Sequence, residues 1–283
     1  VTGDFENYYS TMSYDAEAQI VRELGKFLLD GSLYQGFKPV FWSTVEKTAL
    51  ADAEVEYQDH ISNTIFVAFK VKESSKNFLK DSNIIIWTTT PWTIPANRAL
   101  AFNSGIEYAL VEINSLATFK EKKIVVAKKL LDSIVKSCAI ETYKILKTFS
   151  GSEFEGTICK HPFETLGYDY DIPMLDARFV NLEQGTGIVH CAPSHGPDDF
   201  NLCLKHNIPS KYTIDNAGYY TDEIPFFTKT HVFKADPIII DKLKEEKKLL
   251  QNDKLQHSYP HSWRSKAPLI YRATPQWFIS MEK

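Results

Sequence analysis

The sequence predicts an α+β fold, a mixed β-barrel core decorated by helices, and two observations favour this class. Short segments with strand-like alternation are numerous. In residues 64–72, for example, Ile65, Val67 and Phe69 fall on one face, as in a half-buried strand. Helical segments are few and do not alternate regularly with the strands, as a parallel sheet of βαβ units requires. With 283 residues, the chain is long enough to bury a large core.

Hydrophobic periodicity and turn residues predict the individual elements. Apolar residues recur at helical spacing from Tyr14 to Asp30, and Gly31 ends that helix. Asp236 and Pro237 predict the start of a later helix, with the acid as N-cap and the proline as first helical residue. The same criteria predict strands at 38–42, 54–59, 64–72, 84–87, 107–113, 139–149, 153–159, 177–182 and 188–190, helical turns at 44–52, and helices at 128–138, 197–206 and 236–250.

The composition indicates a soluble intracellular protein. Hydrophobic residues make up 43% and charged residues 24% of the chain, and the net charge of -4 gives no general attraction for nucleic acid. The four cysteines form no CxxC pair and are expected to be reduced thiols. No apolar run has membrane-spanning length, and no signal peptide is recognisable. Because the chain starts with Val1 instead of Met, we expect it to be a piece of a longer protein.

The segment 84–97 reads Ile-Ile-Ile-Trp-Thr-Thr-Thr-Pro-Trp-Thr-Ile-Pro-Ala-Asn, a buried strand that runs into a proline-containing loop. Thr88, Thr89 and Thr90 place hydroxyl groups and free backbone N–H groups where the strand stops pairing. Such a strand end is suited to hold a small polar substrate. The alternative is a threonine-rich strand followed by an ordinary proline turn.

The segment 185–200 reads Gly-Thr-Gly-Ile-Val-His-Cys-Ala-Pro-Ser-His-Gly-Pro-Asp-Asp-Phe and surrounds a predicted helix start. Asp198 and Asp199 fall in the first helical turn, where the helix dipole favours a carboxylate. We therefore expect an ionised acid there at neutral pH, suited to bind an ammonium group. The alternatives are that both acids only complement the dipole, and that His190 is a core histidine at a strand end.

Together the two segments resemble the editing domain of bacterial-type isoleucyl-tRNA synthetases, the connective-peptide insertion of these class I enzymes. The resemblance covers essentially the whole chain and includes the flanking motifs at 257–264 and 272–278. Relatives for valine and leucine usually carry Thr-Thr-Arg-Pro followed by an acid. Here Thr90 replaces the arginine and Trp92 the acid, which favours the isoleucine enzyme.

This resemblance implies an enzyme, an aminoacyl-tRNA ester hydrolase that removes valine wrongly attached to isoleucine tRNA; clearing of valyl-adenylate is left open. No cofactor is expected for this activity, since ATP and magnesium belong to a synthetic site whose HIGH and KMSKS signatures the chain lacks. The implied partners are the tRNA acceptor end with its misattached valine and the remainder of the synthetase, with no membrane. We expect a monomer, located in the cytoplasm of a bacterium or in an organelle.

The resemblance also implies two overlapping groups of site residues and no metal ligand. The catalytic group is Thr88, Thr89, Thr90 and Asp199. The substrate-binding group is Trp92, Asn97, His190 and Asp199. The acid is expected to anchor the α-ammonium group, the histidine to discriminate side chains by size, and the threonines to surround the ester and help place the attacking water. The tryptophan and the asparagine are expected to shape the pocket and the site for the terminal adenosine.

Three other functions remain open at the level of sequence. A metallohydrolase can be imagined from His190, His195, Asp198 and Asp199, although adjacent residues of a helix point apart and no HExxH spacing is present. A module that binds the tRNA acceptor end without cutting is the second alternative. The third is the editing domain of a valyl or leucyl enzyme.

The predicted domain organisation has three parts. Residues 1–50 form an N-terminal helix and linking strands at the junction with a missing catalytic core. Residues 51–230 form the editing-domain core. Residues 231–283 form a C-terminal helix and a segment that returns towards the catalytic core.

Overall fold

The computed structural model describes residues 3–114 and 116–281. The helices of this part are α1 Tyr14–Leu29, α2 Leu131–Ser137, α3 Pro197–Lys205 and α4 Val232–Glu245. The strands are β1 Leu33–Ser43, β2 Thr48–Ala49, β3 Val55–Glu73, β4 Asn83–Thr88, β5 Ala99–Phe102, β6 Glu107–Ile113, β7 Lys123–Ala127, β8 Tyr143–Ser150, β9 Ile158–Lys160, β10 Asp171–Asp176, β11 Val189–Cys191, β12 Leu249–Ser262 and β13 Ile270–Ile279.

One large mixed sheet forms the framework of the described chain. Its order is β11-β5-β10-β9-β3-β4-β7-β6-β8, and β12 pairs with β3 beside this path. The long strand β3 is antiparallel to both β12 and β4. The strands β13, β1 and β2 form a second sheet in that order. The α+β class, with a mixed sheet decorated by helices, is confirmed. Within the described part, the end strands β11 and β8 do not pair, so the sheet does not close into a complete barrel.

The core lies on both faces of the central strands. The triplet Ile84, Ile85 and Ile86 is completely buried, as are Ile65 and Phe69 of the neighbouring strand β3. A strand that is covered on both faces carries a continuous apolar run instead of an alternating one. The prediction of a fully buried strand at the start of the segment 84–97 is therefore confirmed, and this strand gives the site a rigid support.

Several strand predictions were wrong in extent or place; at 153–159, for example, only the end is a strand, because a 3-10 helix, Gly151–Phe154, precedes β9. The segments 54–59 and 64–72 belong to one continuous strand, because the polar residues between them pair with β12. Residues 177–182 form a turn, in which the Val180 amide donates to the Ala177 carbonyl. The strand lies just before, at β10, and the apolar side chains of the turn pack into a small separate cluster. These residues are apolar because they are buried in this cluster, and not because they form a strand.

The predicted start of the last helix was also wrong. Helix α4 begins at Val232, with His231 as N-cap, and Pro237 lies inside it. The Asp-Pro pair is a strong local start signal, but an interior proline mainly costs one helical hydrogen bond and a steric adjustment. The buried apolar face of α4, which includes Ile239 and Leu243, offsets that cost. The Asp236 carboxylate is therefore free for another contact.

The described chain divides into two compact units. One contains the residues up to Lys38 and those from Thr274 onward, and the other is Pro39–Ala273. In the first unit, helix α1 begins with Ser13 as N-cap and leaves its apolar face exposed. In the second lies the large sheet. The predicted domain ranges 1–50, 51–230 and 231–283 stay a prediction, and their outermost residues 1–2 and 282–283 lie outside the described residues.

Candidate functional site

The threonine segment forms a tight turn at the end of β4. The backbone amide of Thr90 donates to Oγ1 of Thr88 over 3.1 Å, and the two hydroxyl oxygens are also 3.1 Å apart. A short 3-10 helix, Pro91–Ala96, follows at once. The Thr93 hydroxyl donates to the Thr90 carbonyl over 2.8 Å and so closes the turn. The side chains of the turn thus bond one another locally, a pattern by which threonine competes with regular strand pairing.

Strand pairing brings the second segment next to this turn. The chain leaves the 3-10 helix into β5, and β11 pairs with β5 so that His190 lies opposite Leu100. The backbone amide of Arg98 donates to the Cys191 carbonyl over 2.9 Å. Strand β11 also contacts β4. The two segments that carry the resemblance are therefore neighbours in space, although about a hundred residues separate them.

Steric constraints explain the glycine at position 187 of the second segment. Gly187 has φ +73°, and a Cβ atom there would lie 2.4 Å from Cβ of Ala127. Only glycine fits such a close approach in a left-handed conformation. The Ala127 amide donates to the Thr186 carbonyl over 2.8 Å, and Tyr108 donates to the Gly187 carbonyl over 2.8 Å. This turn fixes the start of β11 and thereby the position of His190.

His190 is held by both ring nitrogens. The side-chain amide nitrogen of Asn97 lies 3.3 Å from Nδ1 and also donates to the Ala99 carbonyl. Nδ1 is therefore the acceptor, and Nε2–H donates to the Thr93 hydroxyl over 2.9 Å. The ring is 7% exposed, and burial lowers its pKa to about 4. His190 is thus a neutral ring in a fixed position, and it offers no free nitrogen for proton transfer.

His195 is fixed in the same manner with the opposite tautomer. Nδ1 donates to the Tyr271 carbonyl over 2.9 Å, so Nε2 accepts from the Thr213 hydroxyl at 2.9 Å. Burial lowers its pKa to about 4. Its ring meets the Trp92 ring edge-on, with 5.0 Å between centroids. Trp92 is thereby held against the loop that precedes α3.

Asp199 lies in the first turn of α3 and faces the loop after β11. Its Oδ2 accepts the Ala192 amide at 2.9 Å, and a Cβ atom on Gly196 would approach that oxygen to 3.2 Å. Burial raises the pKa of this carboxyl to about 7, although the Ala192 amide favours the charged form. The expectation that this acid stays ionised at neutral pH was therefore wrong, because desolvation outweighs the hydrogen bond from the Ala192 amide.

The structure joins most of the predicted site residues but not all. Hydrogen bonds through Thr93 connect Thr90 with His190. Asn97, which is fully buried, bonds His190 directly. Asp199 contacts the loop after β11 instead of the threonines. Thr89, Thr90 and Trp92 line a cleft of about 240 Å³ that also contains Asp236. A larger cleft of about 600 Å³, beyond Pro95, contains none of the predicted residues.

Two residues that join the site were missed from the sequence. Thr93 stands inside the quoted segment, and its spacing of three from Thr90 is the helical spacing that brings the two hydroxyls together. Asp236 was assigned to a helix start, and no local signal points from it to Trp92, 144 residues earlier, whose amide it accepts. Contacts of this kind depend on tertiary structure.

The arrangement favours chemistry without a histidine base. Both nitrogens of His190 and of His195 are engaged, so neither ring offers a lone pair to a proton or a metal ion. Among the described residues, no three His, Cys, Asp or Glu side chains are grouped closely enough to hold a metal ion. What the site does offer is the carboxyl groups of Asp199 and Asp236, several hydroxyl groups and a fixed, neutral imidazole. No helix in the described ranges is long and apolar enough to cross a membrane.

The buried histidines make the fold sensitive to acid. Burial lowers the pKa of His161 to about 3, and its Nε2 donates to the Ile94 carbonyl. Below pH 6.5 these two histidines, His161 and His190, bind protons in the unfolded chain but stay neutral in the folded one. The free energy of unfolding therefore decreases as the pH falls. Asp199, with its raised pKa, acts in the opposite direction. We expect each of the two histidines to lower the free energy of unfolding by about 2 kcal/mol between pH 6.5 and 4.5.

Thermal or urea unfolding across this pH range measures the loss. His161→Gln is expected to lower stability at pH 7 but to flatten its pH dependence. His206→Gln, a change at an exposed position, is the control and should keep the wild-type slope. A pH dependence that is identical in His161→Gln and in the wild type would contradict the assignment.

Comparison with known proteins gives a consistent family. The family described as tRNA synthetases class I (I, L, M and V) matches residues 1–283. The chain is 67% identical over 282 residues to the isoleucine--tRNA ligase of Pelagibacter ubique and 46% identical over 300 residues to that of Gluconobacter oxydans. Each match covers 100% of this chain and 31% of the relative. The chain therefore spans less than a third of the length of these relatives.

A solved structure shows the same fold. The crystal structure of GlLeuRS-CP1 superposes with a TM-score of 0.52 and 14% sequence identity. The match covers 67% of this chain and 99% of that chain. At this identity the likeness concerns the fold alone, and it confirms the predicted fold class.

Proposed function

Because this chain belongs to the family of class I tRNA synthetases (I, L, M and V), we propose that it proofreads charged tRNA by hydrolysing the ester of a wrong amino acid. The substrate we propose is valine attached to isoleucine tRNA. The names of the isoleucine--tRNA ligase relatives support this choice. The observation that carries it is a fixed, neutral imidazole that is bonded through Thr93 to the threonine turn, with a partly buried carboxyl at the far end of the loop that follows the imidazole.

The chemical need is a difference of one methylene group. Isoleucine exceeds valine by that group, which is worth only about 1–3 kcal/mol of discrimination in a binding pocket. A site that must accept isoleucine therefore cannot reject valine strongly. A second pocket that admits valine and excludes isoleucine completes the selection, because it rejects the larger amino acid whereas the first site rejects larger ones than isoleucine.

Asp199 is proposed to bind the α-ammonium group of the valyl ester. Its carboxyl is partly desolvated, and burial raises its pKa to about 7. An ammonium group next to it favours the ionised form and offsets the cost of burial. The Ala192 amide holds the carboxylate in one orientation at 2.9 Å. The charge pair therefore forms at one place, which fixes the ester relative to the threonines.

His190 is proposed as the size filter. Bonds from Asn97 and to Thr93 hold the ring on both sides, so it cannot swing aside to admit an extra methylene group. Its neutral state at pH 7 suits a wall for an aliphatic side chain. Asn97 shapes this pocket through His190, since it is itself completely buried. Trp92, held by the His195 ring, shapes the side where the terminal adenosine is expected.

Thr88, Thr89 and Thr90 are proposed to surround the ester and place the attacking water. In the reaction, water adds to the ester carbonyl, the ribose oxygen leaves with a proton, and valine is released. Fixed donors that stabilise the oxyanion and fixed acceptors for the water lower the barrier without a strong base. The hydroxyl chain from Thr88 to Thr93 supplies both kinds of group.

Deacylation of valine-charged and isoleucine-charged isoleucine tRNA, measured in parallel, tests the proposal. Release of valine but not of isoleucine is the expected result. Binding of both charged tRNAs without release would instead identify a non-catalytic module for the acceptor end. Preference for other charged tRNAs would point to a valyl or leucyl type. A loss of activity in chelator would favour a metal-dependent reaction.

Replacing all three threonines is expected to be much more damaging than replacing one. Thr90→Ala should reduce deacylation mildly, because neighbouring hydroxyls and backbone amides remain. The triple change to alanine should reduce kcat by about a hundredfold or more, the scale of a lost oxyanion donor. Thr148→Ala, at an exposed position of β8, is the control. Near-normal kcat in a folded triple variant would contradict a role of the hydroxyls.

A further inference from the structure

Asp236 has no role as a helix cap. It is the fifth residue of α4, which begins at Val232. The N-cap is His231, whose Nδ1 accepts the Phe233 amide at 3.3 Å. The carboxylate of Asp236 therefore does not compensate the helix terminus, and it is half-buried. A desolvated carboxylate inside a helix needs partners elsewhere in the fold.

Those partners come from two other parts of the chain. Oδ1 accepts the backbone amide of Trp92 at 3.2 Å, and Oδ2 accepts the side-chain amide of Asn63 at 3.0 Å. Asn63 lies in β3, and Trp92 lies in the 3-10 helix that directly follows the threonines. One carboxylate thus connects α4, β3 and the threonine turn.

The Trp92 amide has a particular need for this acceptor. The first N–H groups of a helix lack partners within the helix. Pro91 has no N–H, and the Thr93 amide donates to the Thr90 carbonyl over 2.9 Å. The Trp92 amide lies between them and donates to Asp236. A residue from a distant helix therefore supplies the acceptor that an N-cap side chain usually provides.

Trp92 is held from its other side as well. The Tyr220 hydroxyl donates to the Trp92 carbonyl, and the Trp92 ring lies against His195. Asp236 shares a cleft of about 240 Å³ with Thr89 and Thr90. A displacement of the Trp92 amide would therefore move the threonines directly before it.

We propose that Asp236 is a positioning residue for ester hydrolysis, which holds the Trp92 amide and thereby the conformation of the threonine turn. The proposal rests on the proposed function for its effect on rate, but the contact itself does not depend on that function. Asp236 acts through Trp92 and does not touch the reacting atoms. Its loss should therefore lower kcat more than it raises KM, because misplacement of catalytic groups by about 1 Å can cost a hundredfold in rate.

The test compares Asp236→Ala with Asp236→Asn. The alanine variant is expected to lose about tenfold to a hundredfold in kcat for valine-charged tRNA, with a change in KM below about threefold. The asparagine variant retains an acceptor oxygen for the Trp92 amide, and Asn63 can turn its own amide to match. It should therefore restore kcat to within about threefold of the wild type. Asp241→Ala is the control, because Asp241 lies on the same helix and is exposed, and because its carboxylate bonds only the Lys244 side chain among the described residues.

Hydrogen exchange of segment 88–97 supplies a second readout without any tRNA. The alanine variant should exchange faster there, and the asparagine and Asp241→Ala variants should not. Should Asp236→Ala fail to fold, Asp236→Glu replaces it, since the longer side chain keeps the charge but displaces the oxygen, and the same loss of kcat is expected. Wild-type kcat together with wild-type exchange in Asp236→Ala or Asp236→Glu would overturn the proposal. Faster exchange in Asp236→Ala than in the wild type, together with a wild type that never deacylates, would support the contact and refute the proposed function.

Discussion

Replacement of Asp199 by alanine is expected to reduce the hydrolysis of valine-charged isoleucine tRNA by about a hundredfold. Truncating one member of a buried charged pair costs about 2–5 kcal/mol, and each 1.4 kcal/mol corresponds to a tenfold change. The loss should appear in kcat/KM, because the ammonium group is bound in both the ground state and the transition state. Asp198→Ala is the matched control, since its exposed carboxylate lies in the same helical turn.

The pH dependence of kcat/KM gives an independent check of Asp199. Its pKa of about 7 in the free chain means that only part of the carboxyl is ionised at neutral pH. Since the ionised form is the one proposed to bind the ammonium group, kcat/KM should rise as the pH increases towards 7, after subtraction of uncatalysed ester hydrolysis, and should fall at higher pH, where the α-amino group of the substrate loses its proton. Asp199→Asn should not show this rise of kcat/KM with pH. An unchanged kcat/KM in Asp199→Ala, or an unchanged pH dependence of kcat/KM in Asp199→Asn, would remove Asp199 from the mechanism.

Replacement of His190 by alanine is expected to let the chain attack isoleucine-charged tRNA. On the proposed role the imidazole is the wall that limits side-chain size, so its removal should open space for the methylene group that distinguishes isoleucine from valine. Discrimination by one methylene group spans about 10-fold to 200-fold, and we expect the preference for valine to fall by that factor. Parallel deacylation of the two charged tRNAs measures it.

His190→Phe separates size from hydrogen bonding. Phenylalanine keeps a ring in the wall but lacks both nitrogens, so the variant should continue to spare isoleucine, although the Thr93 and Asn97 side chains lose their partner. Thermal unfolding of both variants identifies any general loss of stability. A His190→Ala variant that folds and still spares isoleucine-charged tRNA would show that another residue sets the size limit.

The sequence predicted the parts of the site that depend on local pattern. The strand at Ile84, the break at the threonines and the helix from Pro197 follow from burial, proline and capping rules, and all three are present. The nearness of the two segments came from the family resemblance alone. Its physical basis is the pairing of β11 with β5, which no local pattern in either segment encodes.

Other features depend on the surroundings of a side chain and were missed. The charge state of Asp199 follows from desolvation, which only the packed structure reveals. Asp236 carries a convincing local signal for a helix start, but the apolar face of α4 extends the helix one turn earlier. Thr93 is adjacent to named residues, yet its role appears only once the His190 ring lies 2.9 Å from its hydroxyl.

Thr93 has a consequence for how this protein changes over evolutionary time. Its hydroxyl contacts the threonine turn on one side and the His190 ring on the other. On the roles proposed above, substrate choice and catalytic speed therefore share one small set of hydrogen bonds. A lineage that alters the pocket to reject a different amino acid would disturb the turn at the same time. Specificity and rate would then change together, and a shift in one would require compensation in the other.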